Sequence, residues 1–171
     1  FDALLRITQI EAGARRARFA SIDLGSVLED VADVYAAVAE DAGHQLAWID
    51  GRGKAALIKG DRELLIQLFA NLIENAIRHC PRGTHIGLAL HEAPGGFRAE
   101  LTDDGPGIPE PEREKVFRRL YRLERARSTP GSGLGLALVA AIAELHDAEI
   151  ALDDREPGLS VAITFPNAAA A

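Results

Sequence analysis

The sequence predicts an α+β fold, a two-layer sandwich in which helices cover one face of a mixed, mostly antiparallel sheet. Two observations support this class. Three segments carry the apolar spacing of helices, and shorter extended segments between them are separated by turns rich in Gly, Pro and Asp. Strands that follow one another through short turns pair antiparallel. A chain of 171 residues, 47% of them hydrophobic, is long enough to bury a core.

Two helices are marked by their ends. Ser26 and Glu29 match the capping box of a helix start, and Gly43 would end that helix. Asp61 can cap a second, longer helix, which Pro81 stops. Strands are expected at 19–24, 45–49, 55–58, 85–91, 97–102, 148–152 and 159–165.

Residues 103–132 form a connection that is longer than compact domains usually tolerate without a function. We interpret its part at about 110–132 as a lid. Seven Arg and Lys residues stand at 113–127 against two Glu, a local charge of +5 that suits a polyphosphate. A solvated charge run is the alternative explanation. A third helix is expected directly after the connection, at 133–145.

The start of the chain carries a helical pattern, and the sequence contains no Met. We expect a fragment of a longer protein. The spacing of the first apolar residues predicts a helix that packs on a partner helix, although a terminal helix folded on its own domain explains the spacing equally well. The apolar residues concerned are Ala3, Ile7, Ile10, Ala14 and Ala17.

Composition restricts the partners and the location. Acidic residues outnumber basic ones by 26 to 19, which gives a net charge of −7 and argues against binding of nucleic acid. No apolar run reaches the roughly 20 residues that span a bilayer, and the single cysteine, Cys80, excludes an internal disulfide. We therefore expect the cytoplasmic portion of a protein whose anchorage in the inner membrane stays open.

The long helix carries polar residues at spacings of three and four, which places them on one face. They are Gln67, Asn71, Glu74, Asn75 and Arg78. Such a face is most often the solvated side of an amphipathic helix. Asn is a mediocre helix former away from caps, so the two Asn residues favour a binding role slightly.

Two glycine segments flank the long connection. In residues 103–109 a carboxylate follows a strand, and glycines let a ligand approach the backbone, although a surface turn has the same composition. Residues 131–136 lead into a helix whose free amides and dipole suit phosphates. The second segment matches neither the Walker pattern nor the dinucleotide fingerprint, and alone it is weak evidence.

In this fixed order the segments resemble the N, G1, F and G2 boxes of the catalytic domain of bacterial sensor histidine kinases. The resemblance covers about residues 19–166. The N box corresponds to residues 71–79, the G1 box to 103–107, the F box to 116–122 and the G2 box to 131–136.

The resemblance implies the Bergerat fold and an ATP-binding catalytic domain at 19–171. Residues 4–13 resemble the end of the second dimerisation helix, which implies that 1–18 is a remnant of that helix. The implied cofactors are ATP and Mg²⁺. The implied partners are the phosphoacceptor dimerisation domain of the same protein, a response regulator, and a second copy of the full-length protein.

Matching positions carry the roles of the family over to this sequence. Asp103 would accept from the adenine amine, and Asn75 would coordinate Mg²⁺. Asn71 and Arg122 would act in catalysis beside the phosphates. The residues implied to bind ATP are Asn71, Asn75, Arg78, His79, Asp103, Gly105, Gly107, Ile108, Tyr121, Arg122, Ser132, Gly133, Leu134, Gly135 and Leu136.

Several positions depart from the family pattern. His79 stands where Tyr is usual, and Leu120 replaces a frequent Phe. Residues 146–148 read His-Asp-Ala where the family often has His-Gly-Gly. Gly158 is the clear remnant of a third glycine box, which leaves the strand geometry in that region open.

The chemistry implied is transfer of the ATP γ-phosphoryl group to a histidine. In ATP-hydrolysing relatives of the same fold, a Glu that activates water stands four residues before the metal-binding Asn, where this sequence has Asn71. Glu74 lies about 100° around the helix from Asn75 and is a doubtful substitute. A nucleotide-binding module without activity is the alternative. None of the five His residues has the sequence context of the family's phosphoacceptor, so the acceptor is expected outside this chain.

Overall fold

The computed structural model describes residues 13–118 and 135–168. Its helices are α1 (Leu24–Asp41), α2 (Arg62–His79) and α3 (Gly135–Leu145). Its strands are β1 (Ala20–Asp23), β2 (Gln45–Asp50), β3 (Leu57–Gly60), β4 (His85–Ala93), β5 (Gly96–Asp103), β6 (Glu149–Asp154) and β7 (Leu159–Pro166). Two 3₁₀ turns, Glu110–Glu112 and Lys115–Phe117, follow β5.

The main sheet has five strands in the order β2-β4-β5-β7-β6. The pair β2 and β4 is parallel, and the other three pairs are antiparallel. β1 and β3 form a separate antiparallel pair. A turn follows β2, in which the Lys54 amide donates to the Gly51 carbonyl at 3.1 Å. The strands on its two sides nevertheless belong to different sheets.

The core lies between the helices and one face of the main sheet. Alternate residues of β4 at 86–90 and of β7 at 159–165 belong to a single apolar cluster with residues of α1, α2 and α3. Alternate residues of a strand point to the same face of a sheet, so the cluster lies on one face. From the sheet, the cluster includes Ile86, Leu88, Leu90, Ala99, Leu101, Leu159, Val161, Ile163 and Phe165. The predicted α+β sandwich is confirmed.

The predicted capping box of α1 is wrong. The helix begins at Leu24, and Asp23 is its cap, with a carboxylate that accepts from the Gly25 amide at 3.0 Å. The same carboxylate accepts from the Ala56 amide at 2.9 Å, so the cap also joins β1 to the segment before β3. Glu29 instead accepts from the Gly53 amide at 2.9 Å. The carboxylate that caps α1 thus also makes a contact with a residue distant in sequence.

The predicted limits of α2 are confirmed. The Asp61 carboxylate accepts from the Leu64 amide at 3.1 Å, as an N-cap does. At the other end, Cys80 is the C-cap in an extended conformation, and Pro81 follows it. The N box thus occupies the C-terminal half of an intact helix.

His146 and Asp147 preserve the geometry of the region that departs from the family pattern. Asp147 adopts a φ of 54°, a left-handed conformation that Asp tolerates better than most residues. His146 is buried, its Nδ1 lies 2.8 Å from the Ile142 carbonyl, and its Nε2 accepts from the Asp61 amide at 3.1 Å. Burial lowers the pKa of His146, which fits the neutral ring that these contacts need. The strands β6 and β7 that follow are regular.

Residues 13–19 contact the domain itself. Arg15 pairs with Asp61 at 3.2 Å, and Arg16 pairs with Asp147. The Phe19 ring stacks on His146 with centroids 4.5 Å apart. Ala3, Ile7 and Ile10 lie outside the described residues, so the packing of 1–18 on a partner helix stays a prediction. In the described part of the chain, no helix has the length and hydropathy to cross a membrane.

Candidate nucleotide-binding site

A pocket opens between α2, β5 and α3. Among the described residues that line it, Asn75 and Asp103 are polar and the other eight are apolar. The apolar residues are Leu72, Ala76, Leu101, Ile108, Leu136, Leu152, Leu159 and Val161. An apolar cavity with two polar groups is typical of a small-molecule site. The pocket therefore brings together residues from the predicted N, G1 and G2 boxes.

Asp103 is the last residue of β5 and places its carboxylate in the pocket wall. The Gly105 amide donates to its Oδ1 at 2.9 Å. Burial raises the pKa of Asp103, and hydrogen bonds from the Gly105 amide and the Cys80 thiol oppose that rise. A half-buried carboxylate beside apolar walls can accept a hydrogen bond from an exocyclic amine of a flat heterocycle.

Asp104 has a different role from its neighbour. Its carboxylate accepts from the His85 amide at 2.7 Å and lies 3.0 Å from His85 Nδ1. Burial alone would raise the pKa of Asp104, but the hydrogen bonds from the backbone and ring of His85 lower it. Asp104 therefore stabilises the start of β4 through His85, while Asp103 lines the pocket.

The polar face of α2 divides into groups with different surroundings. Asn75 lines the pocket. The Nδ2 of Asn71 is buried and has no hydrogen-bond partner, an arrangement that usually costs about 1–3 kcal/mol. Gln67 and Arg78 are exposed. A polar ligand beside α2 would satisfy the Asn71 amide, so the residues present fit a nucleotide with its metal ion.

Glu74 is turned toward α1. Its Oε1 accepts from the Tyr35 hydroxyl at 2.5 Å. Burial, together with this bond and the charge of Glu74, raises the pKa of Tyr35 to about 12. The carboxylate is not part of the pocket wall, and its hydrogen bond fixes it beside another helix. The sequence argument against Glu74 as a base therefore gains structural support.

Two glycines of the site stand where a side chain would collide with a neighbouring backbone. A Cβ on Gly107 would lie 2.8 Å from the Gly158 carbonyl oxygen. A Cβ on Gly158 would lie 1.8 Å from the Asp103 carbonyl oxygen, and its φ is +112°. The remnant of the third glycine box thus packs directly against the G1 box. Sequence reasoning missed this contact between Gly158 and the G1 box. It arises because Asp103 pairs with Leu159, the residue after Gly158, in the sheet.

We expect Gly158→Ala to lower the free energy of unfolding by about 3 kcal/mol, because it adds both a backbone clash and strain at positive φ. Chemical denaturation measures this. Gly95→Ala is the matched control, since Gly95 has a φ of +75° but open space around its Cα. If the two variants lost equal stability, the packing of Gly158 against Asp103 would not be the cause.

The remaining predicted residues are placed as follows. Gly135 begins α3, and Leu136 lines the pocket. His79 is exposed in the last turn of α2. At the start of the predicted lid, Val116 is buried and the Arg113 guanidinium donates to the Ile108 carbonyl at 3.1 Å. The predicted residues outside the described ranges are Leu120, Tyr121, Arg122, Ser132, Gly133 and Leu134.

Curated relatives with similar sequences include a sensor-like histidine kinase and a sensor protein. The chain is 29% identical to the sensor-like histidine kinase SenX3 of Mycolicibacterium smegmatis over 164 residues, which cover 95% of this chain and 42% of that protein. It is 38% identical to the sensor protein IrlS of Burkholderia pseudomallei over 78% of this chain and 28% of that protein. The chain thus spans less than half the length of these relatives.

Solved structures with the same fold include two mycobacterial proteins. The mycobacterial sensor histidine kinase MprB superposes with a TM-score of 0.75 and 28% identity, covering 88% of this chain and 98% of that one. The ATP-binding domain of PrrB from Mycobacterium tuberculosis gives a TM-score of 0.68 and 26% identity, with 87% and 97% covered.

A family model described as histidine kinase-, DNA gyrase B- and HSP90-like ATPase matches residues 60–169. That range begins just before α2 and ends after β7, so it contains every described wall of the pocket. The residues that line the pocket therefore lie in the part of the chain that matches the family model. The chain therefore belongs to the family of histidine kinase-, DNA gyrase B- and HSP90-like ATPases and has the fold of the ATP-binding catalytic domain of sensor histidine kinases.

Proposed function

We propose that this chain binds ATP and donates its γ-phosphoryl group to a histidine on the dimerisation domain of a two-component sensor kinase. The observation that carries the proposal is the pocket itself. It places one half-buried carboxylate at the end of β5 opposite an Asn of α2, with apolar walls between them.

The adenine of ATP would occupy the apolar part of the pocket. Asp103 would accept from the exocyclic amine, and Ile108 and Leu136 would contact the ring. Gly105 and Gly107 keep the neighbouring turn free of side chains. Guanine carries a carbonyl at the position of that amine, so an ionised Asp103 would repel it. The site is therefore expected to prefer ATP over GTP.

The phosphates would lie along the polar face of α2. Asn75 would offer its amide oxygen to Mg²⁺, a hard ion that prefers oxygen ligands and keeps phosphates and water around it. Asn71 would donate its unpartnered amide to a phosphate oxygen. Arg78, Arg122, Gly135 and residues 132–134 would complete the phosphate contacts. Bound Mg²⁺ neutralises charge on the phosphates during transfer.

The residues beside the pocket favour transfer over hydrolysis. Asn71 stands where the hydrolases have their general base, and an amide cannot take a proton from water. Glu74 is held by Tyr35 at 2.5 Å. Positioning and neutralisation of charge are the main requirements of phosphoryl transfer, and Asn, Arg and free amides supply them.

The wider assembly is part of the same proposal. The full-length protein would be a homodimer with its catalytic domain in the cytoplasm, and residues 1–18 would be the end of the second dimerisation helix. A response regulator would receive the phosphoryl group from the histidine. The kinase ThkA, which shares the fold, has been solved in complex with the response regulator protein TrrA.

We further propose that residues 110–132 form a lid that closes over the phosphates. Hydrogen exchange with and without Mg-ATP tests both the lid and the pocket. We expect nucleotide to slow exchange at 103–132 and in the last two turns of α2, and to leave β2 unchanged. Slower exchange in the pocket but not at 110–132 would contradict the lid alone, whereas no change anywhere would contradict ATP binding.

The lone chain should bind Mg-ATP without becoming phosphorylated. His44 and His146 are buried, with 4% and 3% of their surface exposed, and His79, His85 and His91 lack the acceptor context. Incubation with labelled Mg-ATP followed by an acid-lability assay checks this. Acid-labile label on the lone chain would contradict the assignment of the acceptor to another domain.

A further inference from the structure

We propose that Cys80 is a positioning residue for Asp103: its thiol donates a hydrogen bond that holds the carboxylate in the orientation the adenine amine requires. The inference rests on the proposed ATP site and assigns a role to a residue outside the boxes of the sequence analysis. The supporting observation is that the Cys80 sulfur and an Asp103 carboxylate oxygen both lie beside Gly105.

The backbone fixes the place of the sulfur. Cys80 is the C-cap of α2, with φ of −89° and ψ of 146°, and its amide donates to the Ala76 carbonyl at 3.0 Å. The side chain therefore leaves the helix at a defined point, directly after the N box. Pro81 follows, and its ring restricts the backbone of Cys80 to this extended region.

The thiol and the carboxylate share one small volume beside Gly105. A Cβ built on Gly105 would lie 2.6 Å from the Cys80 Sγ and 3.1 Å from the Asp103 Oδ1. Only a residue without a side chain leaves room for both groups. Gly105 thus serves two purposes, because its amide also donates to Asp103 Oδ1 at 2.9 Å.

Hydrogen bonds from three parts of the fold lower the pKa of the Asp103 carboxyl group. Their donors are the Gly105 amide of the turn, the Cys80 thiol at the end of α2 and the Leu159 amide of β7. All three hydrogen bonds favour the ionised carboxylate. Burial and the negative charge of Asp104 disfavour it. Cys80 is the side-chain donor, so it can be removed without altering the backbone.

Two substitutions separate positioning from packing. Cys80→Ala removes the donor, and we expect Mg-ATP affinity to fall about 10-fold, the order of effect of one hydrogen bond to a charged group. Cys80→Ser keeps a donor of similar size, and we expect affinity within about 2-fold of the parent. Calorimetric titration gives both values, and thermal unfolding shows whether each variant is folded at the temperature of the titration.

A second readout follows the carboxylate directly. Nuclear magnetic resonance titration of the Asp103 side chain in the nucleotide-free chain should show a higher pKa in Cys80→Ala and a pKa no higher than the parent's in Cys80→Ser. The pH at which ATP affinity is lost on acidification should shift upward in the Ala variant alone. A residue that acts only by filling space would not produce this pattern.

The outcomes distinguish the positioning role from the ATP site. If the parent binds Mg-ATP and Cys80→Ala binds it equally well with an unchanged Asp103 pKa, the positioning role is wrong and the site stands. A loss of affinity in both variants, without a shift of the Asp103 pKa, also overturns positioning. If the parent itself binds no Mg-ATP, the proposed function fails and the role with it.

Discussion

Asp103→Asn is expected to lower Mg-ATP affinity by about 100-fold, because it replaces the charged acceptor of the adenine amine with a neutral amide, whose NH₂ group cannot accept a hydrogen bond. Protein stability should not fall. Burial raises the pKa of Asp103 above its ordinary 3.8, so the stabilising contribution of the carboxyl group is fully present below that ordinary pKa and is lost as pH rises through the raised one. At neutral pH an uncharged Asn therefore removes the unfavourable free energy of an ionised carboxylate in a partly buried position.

Asp104→Asn is the matched control, with the same change one residue later. The pKa of Asp104 is lowered by His85, so its stabilising contribution is present at neutral pH and is lost as pH falls through the lowered pKa. We expect this variant to keep ATP affinity within about 2-fold and to be slightly less stable, since the pair with His85 is partly exposed. Equal losses of affinity in both variants would contradict the assignment of Asp103.

Asn75→Ala should abolish the contribution of Mg²⁺ to ATP binding. Calorimetry with Mg²⁺ and with a chelator measures that contribution. We expect the parent to bind about 100-fold more tightly with the ion, and the variant to bind equally weakly in both conditions, because an oxygen ligand has been lost. Gln67→Ala is the control on the same helix, since Gln67 is exposed and does not line the pocket. A preserved response to Mg²⁺ in Asn75→Ala would exclude it as the metal ligand.

The local parts of the fold could be predicted from the sequence because their signals are local. Asp61 caps α2 through an amide three residues away, and Pro81 ends the helix by its own chemistry. The position of Asp103 at the end of a strand followed from the apolar pattern before it. The pattern alone did not decide whether Asp103 binds a ligand or belongs to a surface turn. The resemblance to the four boxes gave it the expected role of adenine acceptor.

The features that were missed depend on residues far apart in the chain. Asp23, and not Ser26, caps α1, and its carboxylate also accepts from the Ala56 amide. Gly158 supports Asp103 only because β5 and β7 are paired. The hydrogen bond of Tyr35 to Glu74 likewise joins two separate helices. None of these contacts leaves a periodic or spacing signal in the sequence.

The central claim is that this chain transfers a phosphoryl group to a histidine of another domain. The direct measurement is incubation with γ-labelled Mg-ATP and the dimerisation domain of the same parent protein, supplied as a separate chain. Labelling should be weak, because tethering normally provides a high effective concentration. We predict acid-labile label on the dimerisation domain, none on this chain, and none when this chain carries Asp103→Asn. Release of phosphate from ATP with no labelled dimerisation domain would instead identify a hydrolase and contradict the account.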